Sequence, residues 1–442
     1  MNKEMKMSKS LAYQKRAKRC IPGMGQLLSK RPDMFSLGVW PGYYSKAKGV
    51  NVWDLDGRKY IDMSIGGIGA NVLGYADPDV NRAVKRAIDQ GSSSSLNCPE
   101  EVELAEELCR IHSWADMARF ARSGGESMAI AVRIARAHTG RDNVVICGYH
   151  GWHDWYLAAN VGTENALGEH LIPGLSPAGV PRALKGSTLV FRYNDLASLE
   201  KVVAKNKNKI AAIVMEPIRS AQPVPGFLQG VKRLAGEAGA VFILDEISSG
   251  FRMNCGGAHL LYGVNPDMAV FSKALGNGYP IGAIIGRAHI MESAQKSFIS
   301  STMWTERVGP VAALATIKKF KALRVHRHLM IIGQLVQEGW AAAGNRQGLA
   351  IKSSGIYPLS HFVFEDSDHL VMKAYFVQEM LVRGFLASNL FYSMWAHTRK
   401  HVASYLSSVD EVFGSIKKLK DSGGLLAALK GKPSAAGFKR IT

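Results

Sequence analysis

The feature that most constrains this chain is a series of short apolar runs: MARFA at 117–121, VVIC at 144–147, IAAIVM at 210–215, VFILD at 241–245 and MAVF at 268–271. Helix-length polar or amphipathic sequence separates each run from the next. Strands that read as continuous apolar runs are buried on both faces, and their alternation with helices predicts an α/β fold with a mainly parallel, doubly covered sheet. In such a sheet ligands sit beyond the carboxyl ends of the strands. The polar residues directly after these runs are therefore the first candidates for chemistry.

The flanking sequence has a different rhythm. Residues 45–62 alternate about a DLDG turn, with Val50, Val52 and Leu55 before it and Tyr60 and Ile61 after it, which predicts a hairpin. Residues 99–112 carry helical spacing through Val102, Leu104, Ala105, Leu108 and Ile111. Past residue 312, KKFKALRVHRHLMIIGQLVQEGWAAA and DHLVMKAYFVQEMLVRGFLA are amphipathic, with SHFVFE between them as a strand. The expected organisation is an N-terminal segment (1–74) of a small domain, a large domain (75–311) and a C-terminal α+β part of the small domain (312–442).

Composition closes off several function classes. At 442 residues and 47% hydrophobic, the chain is long and apolar enough for a sizeable core. No stretch approaches the eighteen or more apolar residues of a membrane span, and the basic N-terminus has no apolar region behind it, so a cytoplasmic protein with no membrane role is expected. The five cysteines form no CxxC pair, which argues against a disulfide framework or a zinc cluster, and no metal is expected. The net charge of +19 gathers toward the termini without any aromatic-interleaved nucleic-acid motif. Attraction of anionic substrates, rather than specific nucleic-acid binding, is the expected benefit.

Four strand ends carry the candidate chemistry. Ser123, Gly124 and Gly125 follow a strand and open a helix, and free N–H groups at a helix start with close backbone approach make a seat for a phosphate. Asp245 ends VFILD with its carboxylate at the rim. Lys273 follows MAVF and precedes a glycine-rich loop, a setting in which desolvation favours the neutral, nucleophilic amine suited to Schiff-base chemistry. CGYHGWHDWY offers Tyr149 and Trp152 as flat surfaces and His150 as a donor or stacking partner. A phosphate seat, an acid, an aromatic plate and a lysine together are the parts that pyridoxal phosphate requires.

VWDLDGRKYID, SGGESMAIAVRIARAHTGR, YHGWHDW, MEPIRS, FILDEISSGFR, FSKALGNGYPIGA and AHT at 396–398 resemble the class III aminotransferases of pyridoxal-phosphate fold type I, most of all the branch of glutamate-1-semialdehyde 2,1-aminomutase and its aminotransferase-like relatives. The resemblance implies a mainly parallel seven-stranded sheet in the large domain, and a smaller α+β domain built from both chain ends. It implies pyridoxal 5'-phosphate as cofactor, Lys273 as the lysine bonded to it, Asp245 as the partner of the ring nitrogen, and Tyr149 or His150 as the ring-stacking group. Ser123, Gly124 and Gly125 would hold the phosphate, with Thr302, or Thr305 as runner-up, reaching it from the neighbouring subunit of a homodimer. Glu216 and Ser248 are expected near the cofactor, Ser248 bonding the ring hydroxyl.

This chain also departs from the aminomutase pattern. Arg219-Ser220-Ala221 stands where an asparagine-ending run is expected, and Trp304-Thr305-Glu306-Arg307 replaces a small-residue element. Those departures predict a different substrate, with Arg219 pairing with its anion or serving a structural ion pair, and Trp304 at the substrate mouth. The expectation is an aminotransferase moving an amino group between a small-molecule donor and a carbonyl acceptor, a keto-sugar or another anionic compound, with Trp152, Trp155 and Trp304 suited to stacking on a sugar. The alternatives are the aminomutase itself, an isomerase making 5-aminolevulinate, and a non-catalytic protein that kept the fold.

Overall fold

The computed structural model describes residues 8–163, 165–168, 170, 175–218 and 220–435. The chain divides into two compact units, residues 1–77 with 328–442, and residues 78–327.

In the first unit, strands β1 (Tyr44–Lys48), β2 (Asn51–Asp54) and β3 (Lys59–Met63) form an antiparallel meander, with the expected hairpin closing around Asp54–Gly57. In the second unit lie β4 (Met117–Ala121), β5 (Asn143–Cys147), β6 (Thr188–Val190), β7 (Ile210–Met215), β8 (Val241–Asp245), β9 (Met268–Phe271) and β10 (Gly282–Gly286). The chain then returns to the first unit with β11 (Ile351–Ser354), β12 (Leu359–Phe364), β13 (Phe385–Ala387) and β14 (Leu390–Tyr392). Strand β13 runs parallel to β3, pairing Phe385 with Ile61, so sequence from both ends of the chain completes one four-stranded sheet.

The large sheet has seven strands in the order β4-β10-β9-β8-β7-β5-β6. All pairings among β5 to β9 are parallel, while β10 lies antiparallel to both β4 and β9. Each predicted apolar run became a strand. Two strands of this sheet were not anticipated: β6, which is only three residues long, and β10, GAIIG, whose two glycines dilute the apolar signal.

Alternation along each strand divides the core. Val144, Ile146, Ala212, Val214, Ile243 and Val270 meet the helix Gly124–Thr139 on one face of the sheet, while Val145, Cys147, Ile213, Met215, Phe242 and Leu244 meet the helices Leu196–Lys205 and Phe227–Glu237 on the other. This two-sided burial leaves the strand ends as the place where polar groups can meet a ligand.

The expected amphipathic segment after 312 is two helices, Val308–Ala322 and Val325–Gln347, broken at Arg324, whose φ is +48°. The first of these belongs to the large unit, so the boundary falls at 327 and 328 rather than at 311 and 312. The helix His369–Val382 and strand β12 occupy the predicted places, and Trp340, Phe362, Phe376 and Phe413 centre the core of the smaller unit. No helix among the described residues is long and apolar enough to cross a membrane.

Candidate active site

The site grows out of the ends of β4, β5, β7, β8 and β9, all within residues 78–327. At the end of β4, the Glu126 carboxylate accepts the N–H groups of Arg122 (2.9 Å) and Ser123 (3.3 Å), fastening the strand to the start of the helix Gly124–Thr139. The first N–H groups of a helix have no intrahelical acceptor and carry its positive dipole end. The glycines here serve close packing. A Cβ on Gly124 would lie 2.9 Å from Ile247 Cδ1, and one on Gly125 would lie 3.3 Å from the His153 ring.

The loop after β5 folds across that helix start. Gly151 has φ +100°, and a Cβ on it would sit 3.0 Å from Gly125 Cα. This loop carries the aromatic candidates, and the structure divides their labour. Tyr149 stays partly exposed, with its N–H held by Glu216 Oε2 at 3.0 Å. Burial, with the charges of Asp245 and Glu216, raises its phenol above the usual tyrosine range. His150 is buried and its Nδ1 lies 2.8 Å from Asp245 Oδ2. His150 is thus buried and fixed by an in-plane hydrogen bond, while Tyr149 keeps 39% of its surface exposed.

Asp245 closes β8. Its Oδ1 accepts the Ile247 N–H at 3.0 Å, so both carboxylate oxygens are engaged and the group is held in one orientation. The next residue, Glu246, sits in a buried network that sequence reasoning missed. Its carboxylate accepts from His259 Nδ1 (2.7 Å), the His259 N–H (2.9 Å) and Ser249 Oγ (2.5 Å). Trp114 Nε1 donates to His259 Nε2 at 3.0 Å, which assigns the imidazole proton to Nδ1. Burial opposes ionisation of Glu246, but these donors hold its carboxyl below the usual range. The only sequence signal was that an acid follows Asp245 directly.

Lys273 stands just past β9, the neighbour of β8, at the left-handed φ of +44°. Its Nζ lies 2.6 Å from Ser248 Oγ. Ser248, expected at a ring hydroxyl, is thus directed at the lysine. Glu216, expected at the cofactor, reaches the backbone of Tyr149.

Other candidates are placed differently. Trp304 is partly buried with its side chain packed against the large-unit core, and its backbone carbonyl accepts Arg122 Nη2 at 2.9 Å. Glu306 accepts the N–H groups of Val308 (2.5 Å) and Gly309 (3.2 Å), and Arg307 pairs with Glu100 at 2.7 Å. Trp155 is buried in the core, whereas Trp152 is 71% exposed and stacks on His153. Thr302 and Thr305 are both exposed, with the Thr305 hydroxyl donating to the Thr302 carbonyl at 3.0 Å. Arg219 lies outside the described residues.

The residues present fit pyridoxal phosphate. The start of the helix Gly124–Thr139, where a Ser123 and Glu126 capping box meets the Gly151 loop, brings backbone N–H groups and the dipole's positive end to a place where an anion could sit, Asp245 offers a fixed carboxylate to a ring nitrogen, and Lys273 offers a primary amine.

Comparison with known proteins agrees. The family described as Aminotransferase class-III matches residues 38–356. The chain is 30% identical over 432 residues to the 3-aminobutyryl-CoA aminotransferase of Cloacimonas acidaminovorans (strain Evry), covering 95% of this chain and 100% of that protein. Among solved structures, the FumI protein of Sphingopyxis sp. MTA144, in its PLP internal aldimine form, superposes with a TM-score of 0.85 at 24% identity over 96% of this chain and 98% of that one. A glutamate-1-semialdehyde-aminomutase from Pseudomonas aeruginosa PAO1 gives 0.79 at 21% identity, over 92% and 94% of the two chains. At these identities the two structures show the fold alone.

Proposed function

The chain belongs to the class III aminotransferases, which use pyridoxal phosphate, and from that membership we propose how its residues divide the work and what they act on. It is an aminotransferase, passing an amino group from a small-molecule donor to a carbonyl acceptor. The bound cofactor supplies an aldehyde and an electron-accepting ring.

The chain's residues supply the rest. Lys273 Nζ is the amine that anchors the cofactor and then takes up and returns the proton beside the transferred nitrogen. Asp245, steadied by His150, holds a proton on the ring nitrogen, and a fixed carboxylate needs no reorganisation as charge develops. Tyr149, held at its backbone by Glu216, would lie against a face of the ring. Ser123, Gly124 and Gly125 seat the phosphate. The observation that carries this reading is the placement of Asp245 at the last position of β8 and Lys273 two residues past β9, its parallel neighbour.

The active unit is a homodimer in which Thr302 of a second copy reaches the phosphate. Exposed apolar side chains on the same segments support this: Phe298 is 88% exposed and Leu96 81%, and the Arg307 N–H binds the Ser92 carbonyl at 2.9 Å, tying the two segments together.

The substrate is an anionic carbonyl compound and its amine. The net charge of +19 favours anions, Arg219 is the cation assigned from sequence, and the Cloacimonas relative is named for an acyl-CoA whose amino group sits on carbon 3. The sugar reading loses support, because Trp155 and Trp304 are used in packing. A panel of donors and acceptors, including 3-amino acyl thioesters, ω-amino acids and amino sugars, tests this through the shift between aldehyde-form and amine-form cofactor absorption. Conversion of glutamate-1-semialdehyde to 5-aminolevulinate without an added donor would instead establish the aminomutase.

A further inference from the structure

The hydroxyl of Ser248 has a place that the cofactor contacts assigned so far do not explain. A lysine side chain is a flexible four-carbon stem with three rotatable donors at its tip. Lys273 is fixed at both ends. At its base, the residue opens a short helix, Lys273–Gly276, in which Ala274, Leu275 and Gly276 are buried. Ser272 Oγ donates to the Ile281 carbonyl at 2.8 Å, pinning the strand exit. At its tip, Nζ donates to Ser248 Oγ at 2.6 Å.

Ser248 is itself rigidly set. The Gly250 N–H closes the turn onto the Glu246 carbonyl at 2.8 Å, and Arg252 Nε donates to the Ser248 carbonyl at 2.8 Å. Glu246, at the start of that turn, is clamped by His259 and Ser249, and His259 in turn by Trp114. Asp245 leads into the same turn. One turn, anchored by the buried Glu246–His259–Trp114 network, thus sets the carboxylate for the ring nitrogen and the part-buried hydroxyl facing the amine, each relative to the other.

We propose that Ser248 is a positioning residue that holds the Lys273 amine, whenever it is not bonded to the cofactor, at the one point from which it can bond or re-bond the cofactor's aldehyde carbon. This rests on the reading of Lys273 as the cofactor-bonding lysine. Positioning of this kind acts on the rate of bond formation, because a loose amine spends little time in the attacking geometry. It does not act on how well the cofactor's ring and phosphate are gripped.

The test uses apoenzyme and two probes. Pyridoxine 5'-phosphate, which carries an alcohol in place of the aldehyde, reports noncovalent binding by protein fluorescence. Pyridoxal 5'-phosphate reports the rate of linkage by visible absorption. In Ser248→Ala, the pyridoxine phosphate dissociation constant should stay within about two-fold of wild type, while linkage slows about ten-fold or more, the loss expected for one hydrogen bond to a charged or reacting group. Ser248→Thr, which keeps the hydroxyl, should restore most of the rate. Linkage by Ser248→Ala at the wild-type rate overturns the proposal, as does an equal loss in pyridoxine phosphate binding, which would assign Ser248 to the ring. Borohydride reduction and peptide mapping of the wild type serve as the separate check: label absent from Lys273 overturns the site reading itself.

Discussion

His150 Nδ1 lies 2.8 Å from Asp245 Oδ2, with both side chains buried at the carboxyl end of the large sheet. A buried carboxylate that loses one hydrogen-bond partner bears a penalty of about 1–3 kcal/mol. His150→Phe should therefore lower the unfolding free energy by about 2 kcal/mol and reduce turnover, while Asp245→Ala should cost about 100-fold or more in turnover. Urea titrations and single-turnover absorption measure the two effects. A His150→Phe protein as stable and as fast as wild type would show that the pair orients nothing.

Lys273→Ala removes the amine at the end of β9. The variant should still bind the cofactor noncovalently but show no donor-dependent change in its absorption. Turnover near the wild-type rate would refute the assignment of this lysine.

Gly151 approaches the helix start so closely, in a left-handed conformation, that a side chain there would be strained and would press on Gly125. Its φ is +100°, and a Cβ would lie 3.0 Å from Gly125 Cα. Left-handed strain and that contact together cost about 1–3 kcal/mol in a non-glycine residue, which lifts the loop from the phosphate seat. Gly151→Ala should weaken pyridoxal phosphate binding about ten-fold and pyridoxal, which lacks the phosphate, much less. Equal losses for both compounds would place the anion elsewhere.

Two buried histidines make the protein acid-sensitive. Burial pushes His112 and His397 down from 6.5 to about 4. Each is held neutral by one donor and one acceptor: His112 by the Leu108 carbonyl and the Gly257 N–H, His397 by the Asp62 carbonyl and the Met394 N–H. The unfolded chain binds these protons first as pH falls below 6.5, so stability is full above 6.5, declines toward 4 and then levels off. Each site contributes up to about 3 kcal/mol of that loss. Denaturant midpoints across this range measure it, and His397→Gln should flatten the slope. An unchanged slope would mean that His397 is not the group responsible.

Sharing of the site between copies is tested by mixing. Thr302→Ala and Lys273→Ala homodimers should each be impaired. Mixed dimers, formed after partial denaturation and refolding, should recover activity, because one of their two sites holds both residues intact. Absence of recovery in verified heterodimers would place Thr302 outside the site.

The alternation of apolar runs between 117 and 271 determined the parallel sheet, because burial on both faces demands continuous apolar strands and that requirement is local. The motifs around Ser123, Asp245 and Lys273 were legible for the same reason, since a polar residue just past a strand can stand only at the rim. Other features depended on partners distant in the chain. The antiparallel insertion of β10 between β4 and β9 could not be read, because GAIIG fits either direction. Neither could the pairing of His150 with Asp245, the turning of Ser248 toward Lys273, or the packing of Trp155 in the core and of Trp304 against it. A hydroxyl, an imidazole or an indole is compatible with several roles, and it takes one of them only when residues far away in sequence are folded against it.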